Sequence, residues 1–187
     1  MSSLTHKPIV LAFAGPNGSG KTTVAKSLKP FGSYVNADDL KKEYNLTDLK
    51  AAQMAESIRN HLLENRRDFS FETVLSTDRN LNLLNKAKAL GYEIQCIYVL
   101  TCNENINVAR VKARHASGGH DVPVEKIRMR YHLALSLIPR LGKTCDKLLI
   151  YDNTDTPALI FCKQGSHSEI IPNEYWTESE IKKLLEL

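Results

Sequence analysis

Directly after the apolar run IVLAFA at positions 9–14 come Gly15, Pro16, Asn17, Gly18, Ser19, Gly20, Lys21, Thr22 and Thr23. A glycine, four residues, then Gly-Lys-Thr is the spacing of a phosphate-binding loop, and a place between a strand-like and a helical segment is the setting that loop requires. The three glycines let successive amides turn inward around an anion at the positive start of a helix. Lys21 would reach the outer phosphates as a point charge, and the Thr22 hydroxyl would ligate the Mg²⁺ that accompanies a nucleotide such as ATP. The plain alternative is a glycine-rich turn between strand and helix.

Such a loop says nucleotide and leaves the reaction open, so the acceptor side has to come from other residues. Asp38, closing SYVNAD, and Glu72, in FSFET, read as carboxylates at the carboxyl ends of strands, where ligands gather in parallel sheets. Asp38 would take the proton of an acceptor hydroxyl as the γ-phosphoryl group departs. Asp39 competes for that role, and either could instead cap the next helix. Glu72 would hold Mg²⁺ through water or hydrogen-bond the acceptor, with Thr73 assisting. Otherwise it is a carboxylate at the edge of the core, costly to bury without a partner. Arg110 and Arg114, four apart on one helix face, would clamp phosphates as charge develops, or else form surface ion pairs. In ASGGHDVP, positions 116–123, two glycines break a helix and it restarts after Pro123, whose position suits a first helical turn, making a hinge candidate. His120 there either contacts a ligand or caps the turn. Asn153 and Thr154, in YDNTD, lie near the adenine or in an ordinary turn. The guanine-reading NKxD is missing, and no strand ending in Asp-Glu follows SGGH, which argues against a GTPase switch and a transporter ATPase.

Strand-like runs at PIVLAFA, SYVNA, FSFETVL, YEIQCIYVL and KLLIYDN alternate with helical periodicity, and that alternation implies a parallel sheet. Ala51, Ala55, Ile58 and Leu62 share a face of one helix; Leu81 and Leu84 belong to another that stops at Gly91. Further helices are expected near 105–117 and 124–141, the latter with Ile127, Tyr131, Ala134, Leu135 and Ile138 as a core stripe. ALIFC and EIIP read as a hairpin at a sheet edge, and Thr177 with Glu180 as a capping box before a terminal helix. The expected fold is therefore an α/β P-loop NTPase. Its doubly wound, mainly parallel five-stranded sheet is of the nucleoside-monophosphate-kinase type, followed by the C-terminal hairpin and helix. Residues 1–187 are expected to form one domain, with a lid at about 103–141.

The 187 residues carry 42% hydrophobic content without a long unbroken apolar segment, and MSSLTHKP lacks the apolar stretch of a secretion signal. A cytoplasmic protein without a membrane partner is expected. Cys96, Cys102, Cys145 and Cys162 are irregularly spaced, which suggests free thiols and no zinc site. The net charge is +4, but nine Lys or Arg against three Asp or Glu between Arg110 and Lys147 concentrate a local +6 there. With little aromatic interleaving, that block suits a nucleotide-closing lid better than a nucleic-acid surface.

AGPNGSGKTT, VNADDL, FETVLS and ARVKARHASGGHDVPVEKIRMRY together resemble the zeta-toxin-like family of P-loop kinases, over most of the chain. The resemblance implies ATP- and Mg²⁺-dependent phosphorylation of a small-molecule hydroxyl, such as that of a sugar nucleotide, and an antitoxin protein as a partner. By motif it implies Asp38 as base, Lys21 as the loop lysine, Glu72 as a residue holding the acceptor, and Arg110 or Arg114 as the arginine on the transferring phosphoryl group. The rival reading is an ATP-binding regulatory or toxin-module protein without productive transfer.

Overall fold

The computed structural model describes residues 7–119 and 121–187. Strand β1 (Ile9–Ala14) lies inside the sheet, paired in parallel with β3 (Phe69–Thr73) on one side and β4 (Glu93–Leu100) on the other. Its two faces are both covered: Val10, Ala12 and Ala14 belong to the larger core cluster, Leu11 and Phe13 to a second one. A strand buried on both sides has no polar face to alternate, which is why it reads as a continuous apolar run. Helix α1 (Lys21–Leu28) supplies Val24 and Ala25 to the second cluster. Helices α3 (Asp48–Glu64) and α4 (Asp78–Ala89) pack on the first, through Ala55, Leu63, Leu81 and Leu84.

β2 (Ser33–Val35) pairs in parallel with β3, and β5 (Lys147–Asp152) in parallel with β4. β6 (Ala158–Gln164) and β7 (His167–Ile170) then add two antiparallel strands beyond β5. The sheet has seven strands in the order β2-β3-β1-β4-β5-β6-β7, not five, because the hairpin hydrogen-bonds to β5 and continues the sheet. Without it β5 would present an unpaired ladder of backbone groups. The chain runs from β1 out to β2, returns to β3 beside β1, and then crosses over β1 to β4, so the strand order switches at β1 and opens a crevice at the strands' carboxyl ends.

Three local features depart from the sequence expectations. Strand β2 stops at Val35, and residues 37–43 form helix α2 (Ala37–Glu43), whose N-cap Asn36 accepts a hydrogen bond from the Asp38 amide. Asp38 and Asp39 therefore sit in a helix's first turn, neither of them as its cap. The segment 124–141 is two helices, α6 (Val124–Ser136) and α7 (Ile138–Thr144), meeting at Leu137. Pro139 falls in the first turn of α7, where its missing N–H leaves no intrahelical bond unmade. Pro123 is the N-cap of α6 and lies just outside its first turn, after α5 (Glu104–Ala116). The capping box does form: Thr177 and Glu180 bond reciprocally at the start of α8 (Glu178–Leu185). No helix among the described residues is long and apolar enough to cross a membrane.

Candidate active site

The loop between β1 and α1 is held in shape by its surroundings. Gly15, at φ 139°, presses against the Val99 carbonyl, and a Cβ there would overlap that oxygen. Gly20, at φ 93°, is the left-handed N-cap of α1 and lies against the Asn153 side chain. Two buried amides hold the loop from behind. Asn107 Nδ2 donates to the Asn17 carbonyl at 2.6 Å, and Asn153 Nδ2 donates to the Ser19 carbonyl at 2.7 Å. The Thr101 hydroxyl in turn donates to Asn107 Oδ1, fixing the orientation of that amide. Asn107 carried no signal in the sequence, since its contact joins residues 90 positions apart.

Lys21 Nζ donates to the Pro16 carbonyl at 2.8 Å and so curls back over the loop. Although the residue keeps some exposed area, its ammonium is enclosed, and burial lowers its pKa to about 8. Glu72 and Asp38 oppose that shift, while Arg114 and Arg130 reinforce it. Two carboxylates and two guanidinium groups thus surround the lysine.

Thr22 Oγ1 donates to Glu72 Oε2 at 2.9 Å, and the Tyr34 hydroxyl donates to Glu72 Oε1. Asn36 Nδ2 donates to the Tyr34 oxygen at 3.3 Å. Burial and the adjacent carboxylate push the Tyr34 phenol well above its usual pKa, so it stays a donor. A hydroxyl and a carboxylate converging at the first turn of α1 form an oxygen-only donor set, which fits a hard cation such as Mg²⁺. Among the described residues no group of three or more His, Cys, Asp or Glu could hold a metal by itself. A cation here would rely on Thr22, Glu72, phosphate oxygens and water.

Two cavities meet at this crevice. One, of ≈ 440 Å³, runs from α5 across Lys21 and Thr22 to α2, with Thr23 and Arg110 on its wall. The other, of ≈ 320 Å³, lies between the α2–α3 side, with Ala51, and α6, with Arg130; Val74 and Asn17 line it as well. Asp38 and Arg114 line both cavities, whereas Asp39 lines only the first.

The two arginines singled out by spacing differ in placement. Arg110 donates to the carbonyls of Asn153 and Thr154, at 2.7 and 2.8 Å, which pins it to the loop after β5. Arg114 stands where the cavities join. Arg130, on a different helix and outside the four-residue spacing, reaches Asn17 Oδ1 at 3.3 Å. Thr73 is buried and lines neither cavity; its Oγ1 accepts from the Leu75 amide at 2.9 Å and from Asn80 Nδ2 at 2.8 Å. That hydroxyl shapes the strand's end. His120 lies outside the described residues.

A family model described as "Zeta toxin" matches residues 30–162, more than half of the chain, beginning after the glycine-rich loop. An uncharacterised protein of Haemophilus influenzae is 28% identical over 129 residues, covering 64% of this chain and 89% of that protein. Among solved structures, one from the PezAT chromosomal toxin–antitoxin system of Streptococcus pneumoniae superimposes with a TM-score of 0.62 at 17% identity, covering 98% of this chain and 85% of that one. A chain of the AvrRxo1-ORF1:ORF2 complex with ATP gives a TM-score of 0.74 at 12% identity, covering 97% of this chain and 64% of its own. At these identities the structural likeness establishes a common fold.

Proposed function

Because the chain belongs to the zeta toxin family, we propose that it transfers the γ-phosphoryl group of ATP to the hydroxyl of a small molecule. The observation that carries this reading is the position of Asp38 and Arg114 on the shared wall of two cavities, one along the phosphate loop and one beside α3 and α6. A phosphotransferase needs such a seam, since donor and acceptor must meet in line with a base on one side and positive charge on the group in transit.

In this reading the loop amides and Lys21 hold the triphosphate in the first cavity, with Arg110 fixing the nucleotide's far end near Asn153. The acceptor occupies the second cavity, its hydroxyl against Asp38, which accepts the proton as the phosphoryl group moves. Arg114, with Arg130 behind Asn17, neutralises the charge that spreads over the transferring oxygens. Mg²⁺, when bound through Thr22 with Glu72 beyond it, supplies further charge neutralisation on the phosphates. The chain acts as one kinase domain, with α5 and α6 as the lid. A sugar nucleotide is the first acceptor to try. The PezAT system pairs a toxin with an antitoxin, which supports a protein partner of that kind here.

Incubation of the protein with labelled ATP and a panel of hydroxyl compounds, UDP-N-acetylglucosamine among them, tests the proposal. Mass spectrometry should find one compound carrying an added phosphoryl group. ATP binding without any phosphorylated product across the panel would favour the regulatory reading.

A further inference from the structure

Away from the loop, α3 and α4 line a separate, solvent-open cavity of ≈ 170 Å³. Arg59 lines it and is only 7% exposed. Its guanidinium carbon sits 5.2 Å from the Phe71 ring centroid, and its buried Nε has no hydrogen-bond partner. Among the described residues, the one hydrogen bond made by this five-donor group runs from Nη2 to Asn80 Oδ1, at 3.5 Å. No carboxylate among the described residues forms an ion pair with it. Burial depresses its pKa, and the more distant Glu56 only partly offsets that.

The other contacts around the cavity are as loose. Arg79 Nη1 stands 3.5 Å from Glu56 Oε2, and Lys86 Nζ 3.5 Å from Asn60 Oδ1. The two hydrogen bonds lie at the outer limit of such interactions and the ion pair is a loose one, so these cationic groups border a common space with donor capacity left over. Three cations, Arg59, Arg79 and Lys86, face one carboxylate, Glu56, which leaves a local excess of two positive charges. A buried charge in this condition is costly unless something pairs with it.

We infer that this cavity is a binding site for a small oxyanion, a phosphate or carboxylate group, seated on Arg59 with Arg79 and Lys86 at its rim. The Phe71 ring 5.2 Å from the guanidinium carbon and the Asn80 oxygen limit where the Arg59 side chain can turn, and a guanidinium's planar fork matches such a group with parallel donors. The space far exceeds what a single water needs. Asn80 links the site to the end of β3, because its Nδ2 donates to Thr73 Oγ1 at 2.8 Å while its Oδ1 faces Arg59. The inference stands apart from the kinase reading, since none of these residues lines either cavity at the loop.

Titration of the ¹⁵N-labelled full chain with inorganic phosphate, and separately with citrate, at constant ionic strength tests it. The Arg59 Nε–H and Asn80 side-chain resonances should shift and saturate with at least one of the two, and which one responds identifies the anion class. In the double variant Arg79→Gln, Lys86→Gln, which alters exposed positions and leaves Arg59 in place, binding should weaken by about tenfold or more, as expected for loss of charge-assisted contacts. Linear, non-saturating shifts with both anions, shifts confined to the loop at 15–22, or unchanged affinity in the double variant would overturn the inference.

Discussion

The Thr22 hydroxyl donates to Glu72 Oε2 at 2.9 Å, joining the first turn of α1 to the end of β3 across 50 residues of sequence. Tyr34 holds the carboxylate's other oxygen, so when the Thr22 oxygen turns to a cation, Tyr34 is the donor that keeps Glu72 in place. Glu72→Gln is expected to lower the apparent Mg²⁺ affinity in the transfer reaction by about 10–100-fold, the usual cost of losing an outer-shell partner. Tyr34→Phe is expected to act in the same direction but less strongly. Both variants should bind metal-free nucleotide as the wild type does. Mg²⁺ titrations of the transfer rate check this, and an unchanged Mg²⁺ requirement in both would remove Glu72 from the metal's surroundings.

Lys21 predicts a pH dependence whose sign follows from its environment. In the nucleotide-free protein its pKa is about 8, against 10.5 for a solvated lysine. Between those values the unfolded chain holds the extra proton, so this group makes the folded state more stable as pH rises through that window and weighs against folding below it. Lys21→Met should therefore stabilise the nucleotide-free protein at neutral pH, by about 1–3 kcal/mol, while abolishing transfer. Phosphate oxygens in the loop would raise the lysine's pKa again. Nucleotide binding should then take up a proton above about pH 8, with affinity falling by up to about tenfold per pH unit beyond it. Calorimetry in two buffers of different ionisation heat measures the uptake directly.

Arg110 and Arg114 should separate kinetically. Arg114→Met is expected to reduce kcat by about 10³-fold, the lower range for loss of an arginine that stabilises the transferring group. Arg110, bonded to the Asn153 and Thr154 carbonyls, should show its loss chiefly as a higher KM for ATP. Steady-state kinetics with ATP varied distinguishes the two, and the reverse assignment would mean that the lid closes in another orientation.

Asn107 is a positioning residue whose value lies in one carbonyl. It is fully buried, and Asn107→Ala takes the Nδ2 donor away from the Asn17 carbonyl, while the Thr101 hydroxyl keeps the Asn103 carbonyl as acceptor. A stability loss of about 1–3 kcal/mol is expected from the unmet carbonyl, with a weaker loop as the functional consequence. Denaturant unfolding alongside nucleotide titration measures the pair of effects.

The parts of this molecule that were legible in the sequence are those written in adjacent residues. The loop is specified by glycines and a lysine at fixed offsets, β1 by its unbroken apolar run, and α8 by Thr177 and Glu180, so each could be read locally. Asn107, Asn153 and Arg130 act through contacts with the loop from distant parts of the chain, and no local pattern marks such contacts. The local sequence at Asn153 suits an adenine neighbour or a turn residue, and neither use is the support it gives the Ser19 carbonyl. The α6–α7 break was hidden because a continuous apolar stripe crosses it, and only Pro139 hints at a second start. Asp38 looked like a strand's last residue because SYVNA is β-like, yet the Asn36 side chain caps a helix there. Its placement on the seam of two cavities depends on that helix and could not be read from the pattern.

The most direct test of the account compares wild type with Asp38→Asn in two assays on the same preparation: ATP binding by calorimetry, and formation of phosphorylated acceptor by mass spectrometry. The account predicts ATP affinity within about twofold of wild type and a transfer rate lower by about 10²–10⁴-fold, the range for loss of a positioned base. Transfer at the wild-type rate in that variant would contradict it.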